Sequence, residues 1–464
     1  MRIMKTSKSF FKKDVNMLEG SIVKGLLAIS IPIMIMNVTQ SLFNIIDMTV
    51  LKSFADDELT VGAVGVCGTL ISLITGLLIG CSSGANVVIA RRIGRADREG
   101  AQKAVGTAIT FAFLGGTLMA AIGILGAPLF LTWMQCGERI FDNAVLYFRL
   151  YFAGVPILMV YNFSASILRA KGDASRPMIY LMTGGALKVL FNLFFVGVLK
   201  MSVVGVALAT IISWSASCFL GVRALLKNDS EMTRLSPSRL GISKRELCDI
   251  LEIGIPAGLQ QALYSIANVI ISATVNAISE EATTGISIAN NFDGILYQIA
   301  CAPAYAVMPY VSQNLGANNL PRAKKAITRG MMIAVAFAGT IGAFSAIFSA
   351  ELSSIMSSNP EVIRYSQQKM IIISSTYFIC GINQILSETM RGFRRPMIPT
   401  VATLLFMCAL RFPWVFIIYP HFPEESKLTL LYLVWPVGWV LSIIMILSFL
   451  IPTIKGNWQK RFHF

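Results

Sequence analysis

Four polar side chains interrupt the first apolar stretch of the chain at intervals of three, four and three residues: Asn37, Gln40, Asn44 and Asp47. At 3.6 residues per turn this spacing lays them along one face of a helix. A later stretch carries Gln261, Tyr264, Ser265, Asn268 and Ser272 at similar intervals. Facing lipid, such groups would cost several kcal/mol together, so both stripes must look onto protein or a water-filled cavity. Amides alone can act as packing glue between helices. A carboxylate inside an apolar span tends to be functional, which makes Asp47 the first candidate; a partly hydrated structural acid, five residues before Lys52 at the outer end, is the other reading.

Few other ionisable residues sit in apolar surroundings. Asp293 lies in NNFDGILYQ, Lys188 in ALKVLFNLF and Arg411 in CALRFPW. A charge held out of water needs a partner or a changed protonation state, so Asp47 with Lys188 and Asp293 with Arg411 are the expected pairs. Glu388 stands three residues before Arg391, the spacing of an ion pair along one helix face.

The elements that must position these groups are membrane spans. The 464 residues are 55% hydrophobic and only 14% charged, against ~25% charged in soluble domains, and the mean hydropathy is +0.68. Apolar stretches near 25–50, 61–90, 104–130, 144–168, 178–199, 202–222, 249–278, 284–312, 327–349, 365–389, 398–419 and 428–452 are each long enough to cross ~30 Å of hydrocarbon as a helix. The expected fold is an all-α integral membrane protein of twelve transmembrane helices. The opening MRIMKTSKSFFKKD is basic and carries neither an apolar core nor a small-residue cleavage site ahead of the first span, so no cleaved signal peptide is expected.

Charge placement sets the topology. There are 39 Lys and Arg against 24 Asp and Glu, a net +15. Most of the cations fall in alternate loops: the N-terminal arm, RRIGRADREGAQK at 91–103, RAKGDASR at 169–176, the 223–247 segment, PRAKKAITR at 321–329, RGFRR at 391–395 and the tail. The other loops, such as FADDELT and ISEEATTG, are acidic or neutral. The positive-inside rule then places both termini in the cytoplasm of a multi-pass protein of the cell inner membrane. The basic charge reads as a topology signal and a contact for anionic membrane lipids, not as a nucleic-acid footprint.

The eight cysteines are scattered with no CxxC pair, and the two histidines are His421 and His463. The cysteines read as small hydrophobes. No metal centre, and no cofactor beyond a coupling H⁺ or Na⁺, is expected. A polytopic glycosyl- or acyltransferase would need catalytic His, paired acids or a metal near the interface, which leaves that enzyme class disfavoured.

The chain also repeats itself. SIP at 30–32 matches GIP at 254–256, and Asn44 matches Asn268; further on Gly94 matches Gly316, Lys103-Ala104 matches Lys325-Ala326, and Arg169 with Pro177 matches Arg391 with Pro399. The division is therefore a cytoplasmic arm (1–24), a first six-helix lobe (25–226), a cytoplasmic linker (227–247), a second six-helix lobe (248–452) and a cytoplasmic tail (453–464). With an even number of spans per copy, the lobes should be related by a pseudo-twofold axis along the membrane normal.

Together, the twelve spans, the duplicated halves, FNIID at 43–47, RAKGDASRP at 169–177, GIPAGLQQALYSIANVII at 254–271, VSQNLGANNLPRAKKA at 311–326 and MRGFRRPMIP at 390–399 resemble the multidrug and toxic compound extrusion (MATE) family. The resemblance implies alternating access and export of amphipathic, often cationic, small molecules in exchange for inward H⁺ or Na⁺. It implies that Asp47 is the ion or proton site of the first lobe. The chain departs from the family where a second Asp often stands, which is Asn192 here, and one turn earlier, where an Asn is replaced by Lys188. Lys52 stands where a glycine usually follows the span 1 Asp, Arg394 is the repeat-equivalent of Gly172, and Tyr264 occupies a position that is glutamate in some sodium-coupled members.

The expected function is therefore secondary multidrug antiport, with protons ahead of sodium as the coupling ion, by a monomer in contact with membrane lipids. Ion coupling is assigned to Asp47, Asn44, Lys188 and Asn192, and the substrate cavity to Asn37, Gln40, Gln261, Tyr264, Asn268, Asp293 and Arg411. A flippase for lipid-linked saccharides, from the same superfamily, is the alternative reading.

Overall fold

The computed structural model of the chain describes residues 14–54, 58–134, 136–276, 278–421, 423 and 427–456, apart from some side chains within 44–73 and 266–276. Every regular element among the described residues is helical. The spans, in chain order, are α1 (Ile22–Phe54), α2 (Glu58–Gly94), α3 (Arg98–Trp133), α4 (Glu138–Ala153 and Val155–Lys171), α5 (Ser175–Asn192, continued by a π-helical stretch Leu193–Val198) and α6 (Ser202–Leu226). There follow α7 (Lys244–Asn276), α8 (Glu280–Gly316), α9 (Leu320–Ile347), α10 (Pro360–Ser375 and Tyr377–Gly392), α11 (Met397–His421, in short α, π and 3₁₀ pieces) and α12 (Lys427–Tyr432 and Val434–Lys455). These twelve spans match the expected ones, and the fold is an all-α membrane protein.

The chain forms two compact units. One holds Ile31–Gly258 with the described residues up to Leu18; the other holds Leu259 onward together with Glu19–Ser30. The segment 227–247 packs on the first unit: Gly241 N and Ser243 N donate to the hydroxyls of Thr110 and Thr107 on α3 at 3.1 and 3.0 Å.

The duplication is visible in backbone detail that composition does not show. Asp97 caps α3 by accepting from Gly100 N at 2.9 Å, and Asn319, 222 positions later, caps α9 by accepting from Arg322 N at 3.1 Å. Both side chains satisfy a backbone donor that the first helical turn leaves open. The residues before these caps, Ala96 and Asn318, are both left-handed, with φ of 55° and 56°. Gly172 and Arg394, at the same offset, have φ of 108° and 59°, so the second copy keeps the turn although glycine is gone. Spans α4 and α10 bend by 42° and 48°, and the breaks fall at Gly154 and Thr376, again 222 apart. In the first copy Pro156 follows, which has no N–H to continue the ladder. The second copy has no proline there; the Thr376 hydroxyl donates to the Ile372 carbonyl at 2.9 Å instead. Hydropathy misses both bends because the apolar stretch resumes directly after Pro156 and after Thr376.

Close helix contact in the first unit depends on small residues four apart. Gly80 on α2 faces the Gly258 backbone, Gly84 faces the Ile250 carbonyl, and Gly254 on α7 faces the Cys81 backbone. Lipid tails are as apolar as the side chains, so association of spans rests on such packing rather than on the hydrophobic effect. A Cβ at Gly80 would overlap backbone atoms that cannot rotate away, whereas one at Gly339 meets open space. Gly80→Val is expected to destabilise the protein by at least ~1–3 kcal/mol, the usual cost of overpacking, while Gly339→Ala is neutral or stabilising. Thermal unfolding of the purified proteins in detergent checks this; equal melting temperatures for the two variants would refute it.

Candidate functional site

In the first unit, α1 and α5 come together around one carboxylate. Gly185 of α5 lies under the ring of Phe43 of α1, and with no Cβ in the way the two helices approach closely. One turn further along, Asp47 and Lys188 face each other. The short Asp47 side chain reaches across, and Lys188 Nζ forms an ion pair with its Oδ2. Asn192, four residues after Lys188 on the same face of α5, donates from Nδ2 to Asp47 Oδ1 at 2.5 Å. Both carboxylate oxygens are thus engaged. The side chains of Asp47 and Lys188 are 11% and 15% exposed, and Asn192 is fully buried.

Three of the four residues assigned to ion coupling are therefore in one hydrogen-bonded cluster. The side chain of the fourth, Asn44, lies outside the described residues. Asn37, also on α1, is half-buried, and Gln40 is exposed.

The second unit holds two cation sites. Asp293 on α8 pairs with Lys369 on α10, Oδ2 to Nζ at 2.8 Å, and the same ammonium donates to Asn290 Oδ1. Arg411 on α11 is 1% exposed, and its Nη1 donates to Asn268 Oδ1 on α7 at 2.9 Å. Its guanidinium carbon lies 4.9 Å from the centre of the Trp435 ring on α12. Tyr264 OH accepts from Trp439 Nε1 at 3.0 Å, and Gln261 is half-buried.

The expected pairing of Asp293 with Arg411 is thus not what the fold makes. Helix adjacency decides the matter. Gly285 on α8 admits the backbone of α10 at Val362 and Ser366, and further along the two helices Lys369 meets Asp293. Arg411 belongs to a helix whose Cys408 Sγ donates to the Leu263 carbonyl of α7 at 3.3 Å, so it meets Asn268 instead. Sequence reasoning passed over Lys369. The available signal was a lysine between QQ and MIII, immediately before a run of four apolar residues. At the C-terminal end of α10, the expected Glu388–Arg391 pair is present, buried, and tied by Arg391 Nη2 to Gln260 Oε1 at 2.5 Å.

The electrostatics of the two sites differ. Around Asp47 one cation meets one carboxylate. Around Trp435, among the described residues, two cations, Lys369 and Arg411, stand near one carboxylate, Asp293, and Arg411 Nη2 is buried without a hydrogen-bond acceptor. Burying an ion costs several kcal/mol. A ring face returns ~0.5–2 kcal/mol and a charged hydrogen bond ~1.5–3 kcal/mol, so a guanidinium with an idle donor remains short of an anion.

Comparison with known proteins follows the same duplication. The family model described as MatE matches residues 32–194 and again 256–417. The chain is 25% identical over 438 residues to the probable multidrug resistance protein YoeA of Bacillus subtilis, covering 93% of each chain. It is 23% identical over 407 residues to the FAD transporter of Shewanella oneidensis, covering 86% of this chain and 88% of that one. Among solved structures, an outward-facing multidrug resistance MATE family transporter of the MOP superfamily superposes with a TM-score of 0.88 at 22% identity, over 96% of this chain and 99% of that chain.

If Asp47 and Lys188 form one electrostatic unit, removing one partner leaves the other ionised and unpaired, at ~3–5 kcal/mol. Lys188→Met alone should therefore lower the melting temperature more than the double variant Asp47→Asn/Lys188→Met does. Thermal melts of the four proteins of this cycle measure the coupling. Strictly additive losses would show that the two side chains do not act together.

Proposed function

Given that the chain belongs to the MatE family of membrane transporters, we propose that it exports amphipathic small molecules from the cytoplasm by alternating access, driven by protons entering through Asp47. It is a multi-pass transporter and not an enzyme. The relatives described as multidrug resistance proteins support export as the direction, and the FAD transporter indicates that cargo within the family extends to a flavin dinucleotide.

One observation carries the proton reading: Asp47 is buried with an ammonium on one oxygen and an amide on the other. An ionised Asp47 holds α1 to α5 through Lys188 and Asn192. A proton arriving on the carboxylate removes its negative charge, and with it the attraction to Lys188. The ammonium must then find water or another acceptor. That changes the relative free energy of two arrangements of α1 and α5, which is what an ion needs to do to drive a conformational cycle. A sodium ion would have to displace Lys188 from the same oxygen against like-charge repulsion, which favours the proton over sodium. Function as a monomer, with both termini in the cytoplasm of the inner membrane, belongs to the same proposal.

Everted membrane vesicles test this reading. A cationic fluorescent dye should move under an imposed pH gradient and not under a sodium gradient alone. Asp47→Asn should reduce gradient-driven transport at least about tenfold, equivalent to ~1.4 kcal/mol or more, while protein remains folded in the membrane. Full transport by that variant would overturn the assignment.

A further inference from the structure

The two copies of the repeat keep a buried cation but not its carboxylate. At the offset of 224 that relates Asn44 to Asn268, Asp47 corresponds to Ile271, which is 3% exposed. Arg411 stands one residue from the position equivalent to Lys188. The first copy therefore answers its cation with Asp47, and the second answers its cation with an amide oxygen and an indole face.

The surroundings of Arg411 do not close the account. Nη1 is used by Asn268, Nη2 has no acceptor, and among the described residues no carboxylate oxygen lies within ion-pair distance. Lys369, 5.9 Å from the same Trp435 ring, is already held by Asp293 and Asn290. Asn268 and Asn290 are exposed and Trp435 is half-buried, so a polar and aromatic surface leads inward to the guanidinium. A buried guanidinium with an idle donor is matched best by a planar, two-oxygen anion, because its fork presents parallel N–H groups. The indole adds a flat face beside it.

We infer that Arg411, with Asn268 and Trp435, forms an anion-binding subsite in the second unit that takes the carboxylate or phosphate of a planar amphipathic molecule. The inference rests on the transport reading above and narrows its substrate class. The anion belongs either to an exported solute or to a lipid headgroup.

The probe is a matched pair of fluorescent flavins, riboflavin 5′-phosphate and riboflavin, which share one ring system and differ by a phosphate. Each is titrated against the purified full-length protein in phosphatidylcholine nanodiscs, following flavin fluorescence. The phosphate should bind about tenfold tighter or better, and the preference should disappear in Arg411→Met. In Asn268→Asp a carboxylate takes up the guanidinium from within, so the preference should disappear there too, even if Arg411→Met does not fold. Phosphate binding that weakens when phosphatidylglycerol is added to the discs assigns the site to a headgroup; binding that is unchanged assigns it to a solute. Equal affinities in the wild type, or a preference that survives Asn268→Asp, would overturn the proposal. No ion gradient is imposed, so failure of proton coupling at Asp47 would not alter this result.

Discussion

A charge inside a membrane span has no water to solvate it, and that constraint organises the interior of both units. Asp47 and Lys188 neutralise each other, as do Asp293 and Lys369, and Glu388 and Arg391 form a third buried pair. Each pair carries an amide from a neighbouring position: Asn192 on Asp47, Asn290 on Lys369, Gln260 on Arg391. The amides fill lone pairs or donor sites that a single counter-ion leaves open, which is what makes buried pairs tolerable. Because such a pair is only just compensated, adding or removing one proton changes its balance by several kcal/mol. A pair of this kind is stable enough to fold and sensitive enough to switch.

Compensation of this kind demands close helices, and small residues provide them. Gly185 beneath Phe43 brings α1 to α5 one turn from Asp47, and Gly285 brings α8 to α10 on the same pair of helices that carries Asp293 and Lys369. Neither glycine touches the ionic groups. Both set the distance over which a short aspartate must reach a lysine, so the chemistry of the pair is decided partly by residues with no side chain.

The repeat separates what architecture requires from what function requires. Helix caps at Asp97 and Asn319, left-handed turns at Ala96 and Asn318, and breaks at Gly154 and Thr376 recur at one offset with different residues. These are backbone requirements that several side chains can meet. The charged positions do not recur in the same way: Asp47 has Ile271 as its counterpart, while a cation persists near the second position as Arg411. The backbone is duplicated and this charge pair is not, which leaves Lys188 answered by a carboxylate and Arg411 by an amide and a ring face.

Much was legible in the residues alone. The twelve spans follow from runs of apolar residues because a bilayer imposes a length of hydrocarbon on every crossing. The duplication follows from spaced matches such as Asn44 with Asn268, and the Asp47–Lys188 contact from the scarcity of ionisable groups in apolar surroundings. What lay beyond reach was which helix stands beside which. Asp293 could be assigned to Arg411 or to Lys369 on charge alone; only the packing of α8 against α10, admitted by Gly285, chose Lys369. The bends in α4 and α10 were hidden for a related reason, since hydropathy records where a residue lies in the bilayer and not the direction of the helix axis. The sequence by itself determined the number of spans, their repetition and the presence of a buried acid. Tertiary structure decided the partners, because an ion pair acts over a few ångströms and sequence order does not specify distances between helices.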